Sequence, residues 1–355
     1  MKNLRSVLLR AIDKFERKNI LVIGDTFLDK FTFGTSRENP EKSATPLITA
    51  TKHEYILGGA GNVARNIVSL GANCSLYGII GKDFHGKKLI NLCQEIGIDW
   101  RGKRTTIPTI IKQRIYEIED EHYIMRLDDN EPSKIIKDAD EKQLEIWGNE
   151  LLGAKKSIIK HLEKNREDAD YAILSDYNKY IFTNPFTDSS DDFAGKVIEI
   201  LKYKGGNVPV LIDPSPKNFL RYSNCTIITP NRKEAQDMIK MFPSVRASSL
   251  EEMAKYIGER LDSDYIAITC GKEGAYIYEN KKETGKHIST KEEKASDVIG
   301  AGDTFGVAVA LGQASGLEFE NAVILANCAS SVVVRKQGTA TTSAEELREE
   351  VRRRY

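Results

Sequence analysis

Leu4, Val7, Leu8, Ala11, Ile12 and Phe15 return at helical spacing among Asp13, Lys14, Glu16, Arg17 and Lys18, which predicts an amphipathic surface helix. The next segment, residues 19–25 (Asn-Ile-Leu-Val-Ile-Gly-Asp), is apolar without alternation and ends on glycine and a carboxylate. That is the pattern of a strand buried on both faces and delivering a loop. Similar runs predict strands at Cys74 to Ile80, Tyr171 to Ser175, Pro209 to Asp213, Thr226 to Thr229 and Tyr265 to Thr269. Helical periodicity fills the intervals at Asn62 to Leu70, Lys87 to Ile96, Asp140 to Glu163, Phe193 to Lys204, Lys233 to Met241 and Leu250 to Leu261. Alternating strand and helix predicts an α/β fold whose parallel sheet is covered on both faces and binds ligands at the carboxyl ends of its strands.

Two stretches break this rhythm. Residues 31–55 and 106–128 carry β-branched and aromatic residues without intervening helices, predicting a small β accessory layer. No Pro/Gly/Ser-rich linker sets it apart, so residues 1–355 read as a single domain with an outgrowth. Glu345 to Arg354 reads as a solvated terminal helix.

Composition narrows the function classes. Lys plus Arg (52) cancel Asp plus Glu (52), which argues against a polyanion binder and makes any phosphate binding local. Five scattered cysteines form no C-x-x-C pair and read as reduced thiols of a cytoplasmic protein. No apolar stretch approaches the roughly 20 residues of a membrane helix, and the charged first helix is unlike a signal peptide.

Three glycine-rich segments are candidates for holding phosphate. Residues 81–88 approach the P-loop pattern G-x-x-x-x-G-K-[ST], but Lys88 stands where a hydroxyl must reach Mg²⁺, and a polar loop before a helix explains them as well. Residues 59–64 fit the dinucleotide fingerprint G-x-G-x-x-[GA], with Asp83 at the distance of a ribose ligand, which keeps an NAD-dependent oxidoreductase open. Against it, Lys52, His53 and Glu54 interrupt the preceding segment, unlike a buried first strand. The alternative is that Gly58, Gly59 and Gly61 let the backbone approach a small polar ligand, with Asn62 opening a helix and bonding hydroxyls.

The third segment is Asp297 to Phe305 (Asp-Val-Ile-Gly-Ala-Gly-Asp-Thr-Phe). Gly300, Ala301 and Gly302 leave backbone N–H groups free to converge, and a helix starting near Asp303 adds its positive dipole end. An acid beside such an anion hole is electrostatically costly. It makes sense if it takes the proton of a hydroxyl that attacks a phosphoryl group held there. A helix merely capped by Asp303 leaves both glycines unexplained.

Residues 297–305 match the D-x-x-G-A-G-D-x-F signature, and Gly58 to Asn62 the G-G-x-x-N signature, of ribokinase-like (PfkB) carbohydrate kinases. The chain resembles that family over nearly its whole length. The resemblance implies a three-layer sandwich with a mostly parallel central sheet and a small β lid, and an ATP- and Mg²⁺-dependent phosphotransferase. Asp303 would be its general base, with the amides of Gly300, Ala301 and Gly302 stabilising the transferred phosphoryl group. Asp25, Asp29, Gly58, Gly59 and Asn62 would meet sugar hydroxyls, and Lys179 the substrate's own phosphate, with Arg37 and Arg126 as further candidates.

Residues 229–234 carry the family's N-x-x-E motif, which implies Asn231, Arg232 and Lys233 near the nucleotide phosphates and Glu234 orienting Mg²⁺ through water. Thr269, Gly271, Gly274 and Asn327 would line the nucleotide site. Carbonyls near Asp297 and Ile299 are a place for a monovalent cation such as K⁺.

Within the family, residues 24–29, 35–41 with Pro46, 126–128, 175–179 and 213–214 resemble the branch that phosphorylates D-glycero-D-manno-heptose 7-phosphate at O1. Its product, the 1,7-bisphosphate, leads to ADP-heptose and lipopolysaccharide. This chain has Asp176-Tyr-Asn-Lys-Tyr180 where that branch usually has D-Y-G-K-G, and it spaces Lys217 differently after Asp213-Pro214. The resemblance also implies a homodimer through the lid. Because the five histidines form no H-x-G-H, a nucleotidyltransferase on a separate protein is expected to complete the pathway. A kinase for another sugar or nucleoside, and a non-catalytic sugar or nucleotide sensor, remain alternatives.

Overall fold

The computed structural model describes residues 2–37, 47–118, 122–187, 191–203, 207–290, 300–336 and 338–355. Its largest sheet runs, in spatial order, 284–288, 275–279, 265–269, 227–228, 210–213, 171–175, 19–24, 73–77 and 99–100. All neighbours are parallel except the 265–269, 275–279 and 284–288 pairings, which are antiparallel. Two apolar clusters cover its faces, one holding Val22, Leu76 and Ile173, the other Leu21, Ile23 and Leu174. That division follows the period-2 alternation of side chains along buried strands.

Strand order reverses around Asn19–Gly24. On one side the chain proceeds to 73–77 and 99–100, on the other to 171–175, 210–213 and 227–228. Loops therefore diverge between 19–24 and 171–175, which opens a crevice at their carboxyl ends. Gly24 pairs with Ser175, and Ser175 with Asp213. Register thus brings Asp25, Asp176 and Asp213 to one edge of the sheet.

The accessory layer is a four-stranded sheet in the order Leu47–Gly59, Thr26–Arg37, Ile111–Glu117, Tyr123–Asp129. Its first two strands reach to Thr26 and Gly59, beyond the expected 31–55. The lid is consequently rooted in the crevice, with Asp29, Gly58 and Gly59 at its base.

Other expectations shift too. The run from Cys74 divides into Asn73–Tyr77 in the large sheet and Ile79–Gly81 paired with Lys103–Thr105. The hairpin Ala275–Glu279 and Thr284–Ile288 was not expected, because its second strand is largely exposed and shows no apolar alternation. The apolar run near Ala322 is the helix Phe319–Val333, packed on the helix Ala301–Ala314.

Candidate active site

The crevice contains a cavity of about 380 Å³ whose wall includes Tyr177, Asp213, Glu234, Gly300, Gly302 and Asp303. Gly300, at φ 79°, caps the helix Ala301–Ala314, a left-handed position suited to glycine. The helix therefore starts two residues before Asp303, which lies in its first turn and is not the cap. First-turn amides lack intrahelical acceptors. Among the described residues, none accepts from Gly300, Ala301 or Gly302.

Asp303 is buried. Its Oδ2 accepts from Asn62 Nδ2 at 2.6 Å and its Oδ1 from the Tyr177 hydroxyl at 2.8 Å. Burial pushes its carboxyl above the usual range, and the two donors offset part of that rise. Asn62 was expected to open its helix. Gly59 is the N-cap instead, and Asn62 sits inside the helix Ala60–Ser69.

Gly59 takes φ 59°, and a Cβ there would stand 2.3 Å from the Asp25 carbonyl oxygen. At Gly58 a Cβ would strike Phe27 and Asp29, and at Gly61 Leu57. The close approaches made by these glycines are thus to the protein's own neighbouring segments. With residues 59–64 following a lid strand rather than a buried parallel one, the dinucleotide reading loses its structural context. Residues 81–88 run from the end of the strand Ile79–Gly81 into the helix Phe84–Ile96, which Asp83 caps.

Asp25 does not present free oxygens to a sugar. Oδ2 accepts the amides of Tyr177 (3.1 Å) and Lys179 (2.9 Å), and Oδ1 those of Tyr180 (2.9 Å) and Ile181 (3.0 Å). Four amides fill the carboxylate's lone-pair sites, so Asp25 builds the loop that carries Tyr177 and Lys179. Asn178 in that loop adopts φ 54°. Asparagine tolerates this left-handed conformation as glycine does, so the change from D-Y-G-K to Asp-Tyr-Asn-Lys is conservative for the backbone.

Asp29 is buried in an ion pair with Arg114. Lys112, two residues away on the same face of the lid, holds its ammonium 3.8 Å from the Phe27 ring centroid and 5.3 Å from that of Tyr177. Burial lowers its pKa to about 8, with the positive charges of Lys179 and Arg126 adding to the effect. Among the described residues no carboxylate pairs with Lys112, whereas Lys179 pairs with Glu131 (2.6 Å) and Arg126 with Asp128 (2.6 Å).

Across the cavity, Asn231 and Glu234 form a capping box on the helix Arg232–Lys240, the local reason for the N-x-x-E spacing. Only Oε2 of Glu234 is used in it. Thr269 lines the cavity and bridges to Asn231. Arg232 pairs with Glu273 at 2.5 Å, and Lys233 is exposed. Gly271 and Gly274 shape the turn after Thr269, and the Asn327 amide donates to the Ile288 carbonyl at 3.1 Å. None of these last five lines the cavity.

Asp213 does line it. Its carboxyl is pushed well up by burial and by the negative charges of Asp303, Glu234 and Asp176, and its hydrogen bond from Ser175 Oγ is long, at 3.5 Å. Two carboxylates with spare oxygens beside an anion hole fit a hydrated Mg²⁺, which takes one or two carboxylates and completes its shell with water and phosphate. Asp297 and Ile299, expected to hold a monovalent cation, lie outside the described residues, as do residues 38–46 of the heptose-kinase resemblance.

Sequence reasoning missed Tyr177, Lys112 and Arg114. Lys112 and Arg114 stand at i, i+2 in a lid strand, a one-face charge pattern that signalled them, whereas nothing in the sequence linked Tyr177 to a residue 126 positions away.

Comparison with known proteins agrees with this geometry. The family profile described as pfkB family carbohydrate kinase matches residues 17–347. The chain is 32% identical over 336 residues to the bifunctional protein HldE of Bradyrhizobium diazoefficiens, covering 94% of this chain and 63% of that protein. It is 33% identical to HldE of Pseudomonas aeruginosa, covering 97% and 66%. It thus spans just under two thirds of the length of these relatives. Among solved structures, phosphofructokinase-2 from Escherichia coli in complex with potassium superposes with a TM-score of 0.70 at 16% identity, covering 95% of this chain and 98% of that one. Ribokinase from Thermotoga maritima superposes with a TM-score of 0.61 at 20% identity, covering 95% and 98%. The fold is ribokinase-like.

Proposed function

Since the chain belongs to the pfkB family of carbohydrate kinases and is a phosphotransferase acting on a sugar alcohol, we propose that it phosphorylates D-glycero-D-manno-heptose 7-phosphate at O1, with ATP as donor and Asp303 as general base. The observation that carries the proposal is the pairing, on one cavity wall, of Asp303 with the turn at Gly300, whose amides have no acceptor among the described residues.

Asp303 takes the proton of the sugar hydroxyl as its oxygen attacks the γ-phosphorus. The bond from that phosphorus to the bridging oxygen breaks, and ADP departs. The amides of Gly300, Ala301 and Gly302, with the helix dipole, stabilise charge gathering on the transferred group. Glu234 through water, and Asp213, would hold Mg²⁺, which when bound neutralises phosphate charge.

Lys112, Lys179 and Arg126 gather positive charge over the crevice, which favours a phosphorylated sugar over a neutral one. Relatives named HldE and the residues shared with the heptose-phosphate branch support the heptose assignment. Free thiols at all five cysteines suit a cytoplasmic enzyme. Among the described residues no helix is long and apolar enough to cross a membrane. On the lid's outer face Tyr123, Met125 and Leu127 are 42–45% exposed, which supports a homodimer through that face.

The test is Asp303→Asn. Nucleotide affinity should persist while heptose 7-phosphate-dependent ADP release drops by roughly 100-fold or more. Parental turnover in this variant would refute the assignment.

A further inference from the structure

We infer that Tyr177 guards the base: with no sugar bound, its phenol fills the place on Asp303 that the acceptor hydroxyl takes, and so keeps water from being phosphorylated instead. The inference rests on the reading of Asp303 as general base.

A kinase with a bound γ-phosphoryl group beside a basic carboxylate faces a specific hazard. Water can attack that phosphorus, pass its proton to Asp303 and release ADP and inorganic phosphate. A cavity of about 380 Å³ has ample room for it. Here each oxygen of the base already holds one donor, Asn62 Nδ2 on Oδ2 and the Tyr177 hydroxyl on Oδ1, and the phenol is the one on the side of Lys112 and the lid.

Tyr177 has one hydroxyl proton, and it is committed to Asp303. Its ring cannot drift away easily. It packs edge-on against Phe27 at 5.4 Å, lies within 5.3 Å of the Lys112 ammonium, and its amide is tied to Asp25. Charged and titratable groups facing this pair are Asp29 and Lys112 from the lid and Asp213 from the central sheet.

Displacing the phenol costs a hydrogen bond to a charged group. A sugar phosphate, with many hydroxyls and an anion to bind, can supply that energy at contacts remote from the reacting oxygen. A single water cannot. The same exchange that admits the acceptor therefore discriminates against solvent.

The experiment measures ADP release from ATP and Mg²⁺ without sugar. Tyr177→Phe keeps the ring and removes only the hydroxyl, and should raise this sugar-independent rate roughly tenfold, the scale of one hydrogen bond to a charged acceptor. Tyr177→Phe combined with Asp303→Asn should return it to the parental level. Tyr177→Met is read the same way if the phenylalanine variant does not fold. An unchanged rate in a variant that binds ATP normally overturns the inference, and so does a rise that survives in the double variant. Asp303→Asn alone keeps the two ideas apart: full sugar kinase activity there defeats the base assignment, whereas lost sugar kinase activity with no rise in Tyr177→Phe defeats only the guard.

Discussion

Replacing Lys112 by methionine should make the protein more stable and a worse enzyme at once. In the folded chain the ammonium titrates at about 8, against 10.5 when free, because it is buried beside other cations. A depressed lysine pKa means that the charged form is disfavoured by folding. The cost is complete below about pH 8, shrinks as the pH rises toward 10.5, and is gone above that value. At neutral pH it amounts to roughly 3 kcal/mol. For 355 residues, removing it should raise the melting temperature by about 3–4 °C. Methionine suits the site, since its thioether can lie over Phe27 where the ammonium now sits. Heptose 7-phosphate loses a charge-assisted contact, so kcat/KM should fall roughly 10–100-fold. The loss should be much smaller for unphosphorylated heptose. Parental kcat/KM should also decline above about pH 8 as Lys112 deprotonates, a limb absent from the variant. Thermal unfolding and ADP-release assays on both sugars read these outcomes. Equal losses on the two sugars, or an unchanged melting temperature, would refute the reasoning.

Asp213→Asn should also stabilise the unliganded protein. A buried carboxyl whose pKa is raised by folding lowers stability progressively as the pH rises above its unfolded value of 3.8, so the gain in melting temperature should grow with pH; a gain that is flat with pH contradicts it. The same variant should need more Mg²⁺ for half-maximal turnover, as a magnesium titration would show. Met125→Asp, on the outer face of the lid, should shift sedimentation from dimer to monomer, and a parent that sediments only as monomer removes the dimer proposal.

Much of the scaffold was legible because buried parallel strands are short apolar runs, and Tyr171–Ser175 and Tyr265–Thr269 have the predicted boundaries. Strand ends next to glycine were less legible. Gly78 divides one predicted strand, since a Cβ there would stand 2.5 Å from Thr26 Oγ1, a contact local periodicity cannot reveal. At the candidate site, the grouping of Asp303 with Gly300 and Gly302 was readable because one turn carries all three. Tyr177 was not, because its contact with Asp303 depends on how strand 171–175 lies against the helix Ala301–Ala314.

What the sequence left open was how four aspartates around the crevice, Asp25, Asp176, Asp213 and Asp303, divide their work. Their donors separate them. Asp25 spends both oxygens on four amides of one loop and is structural. Asp176 accepts from the Tyr222 hydroxyl (2.6 Å), Asn218 Nδ2 (2.7 Å) and the Asn178 amide (2.6 Å), so it anchors the other side of that loop. Among the described residues Asp213 has only a distant serine hydroxyl, a shortage that a cation would meet. Asp303 is held by two side-chain donors, each on a different element, and a side chain can yield its place to substrate more readily than a backbone amide locked in a loop. Fixed amide donors therefore mark the aspartates that build the crevice, and exchangeable or missing donors mark the two to which we assign chemistry.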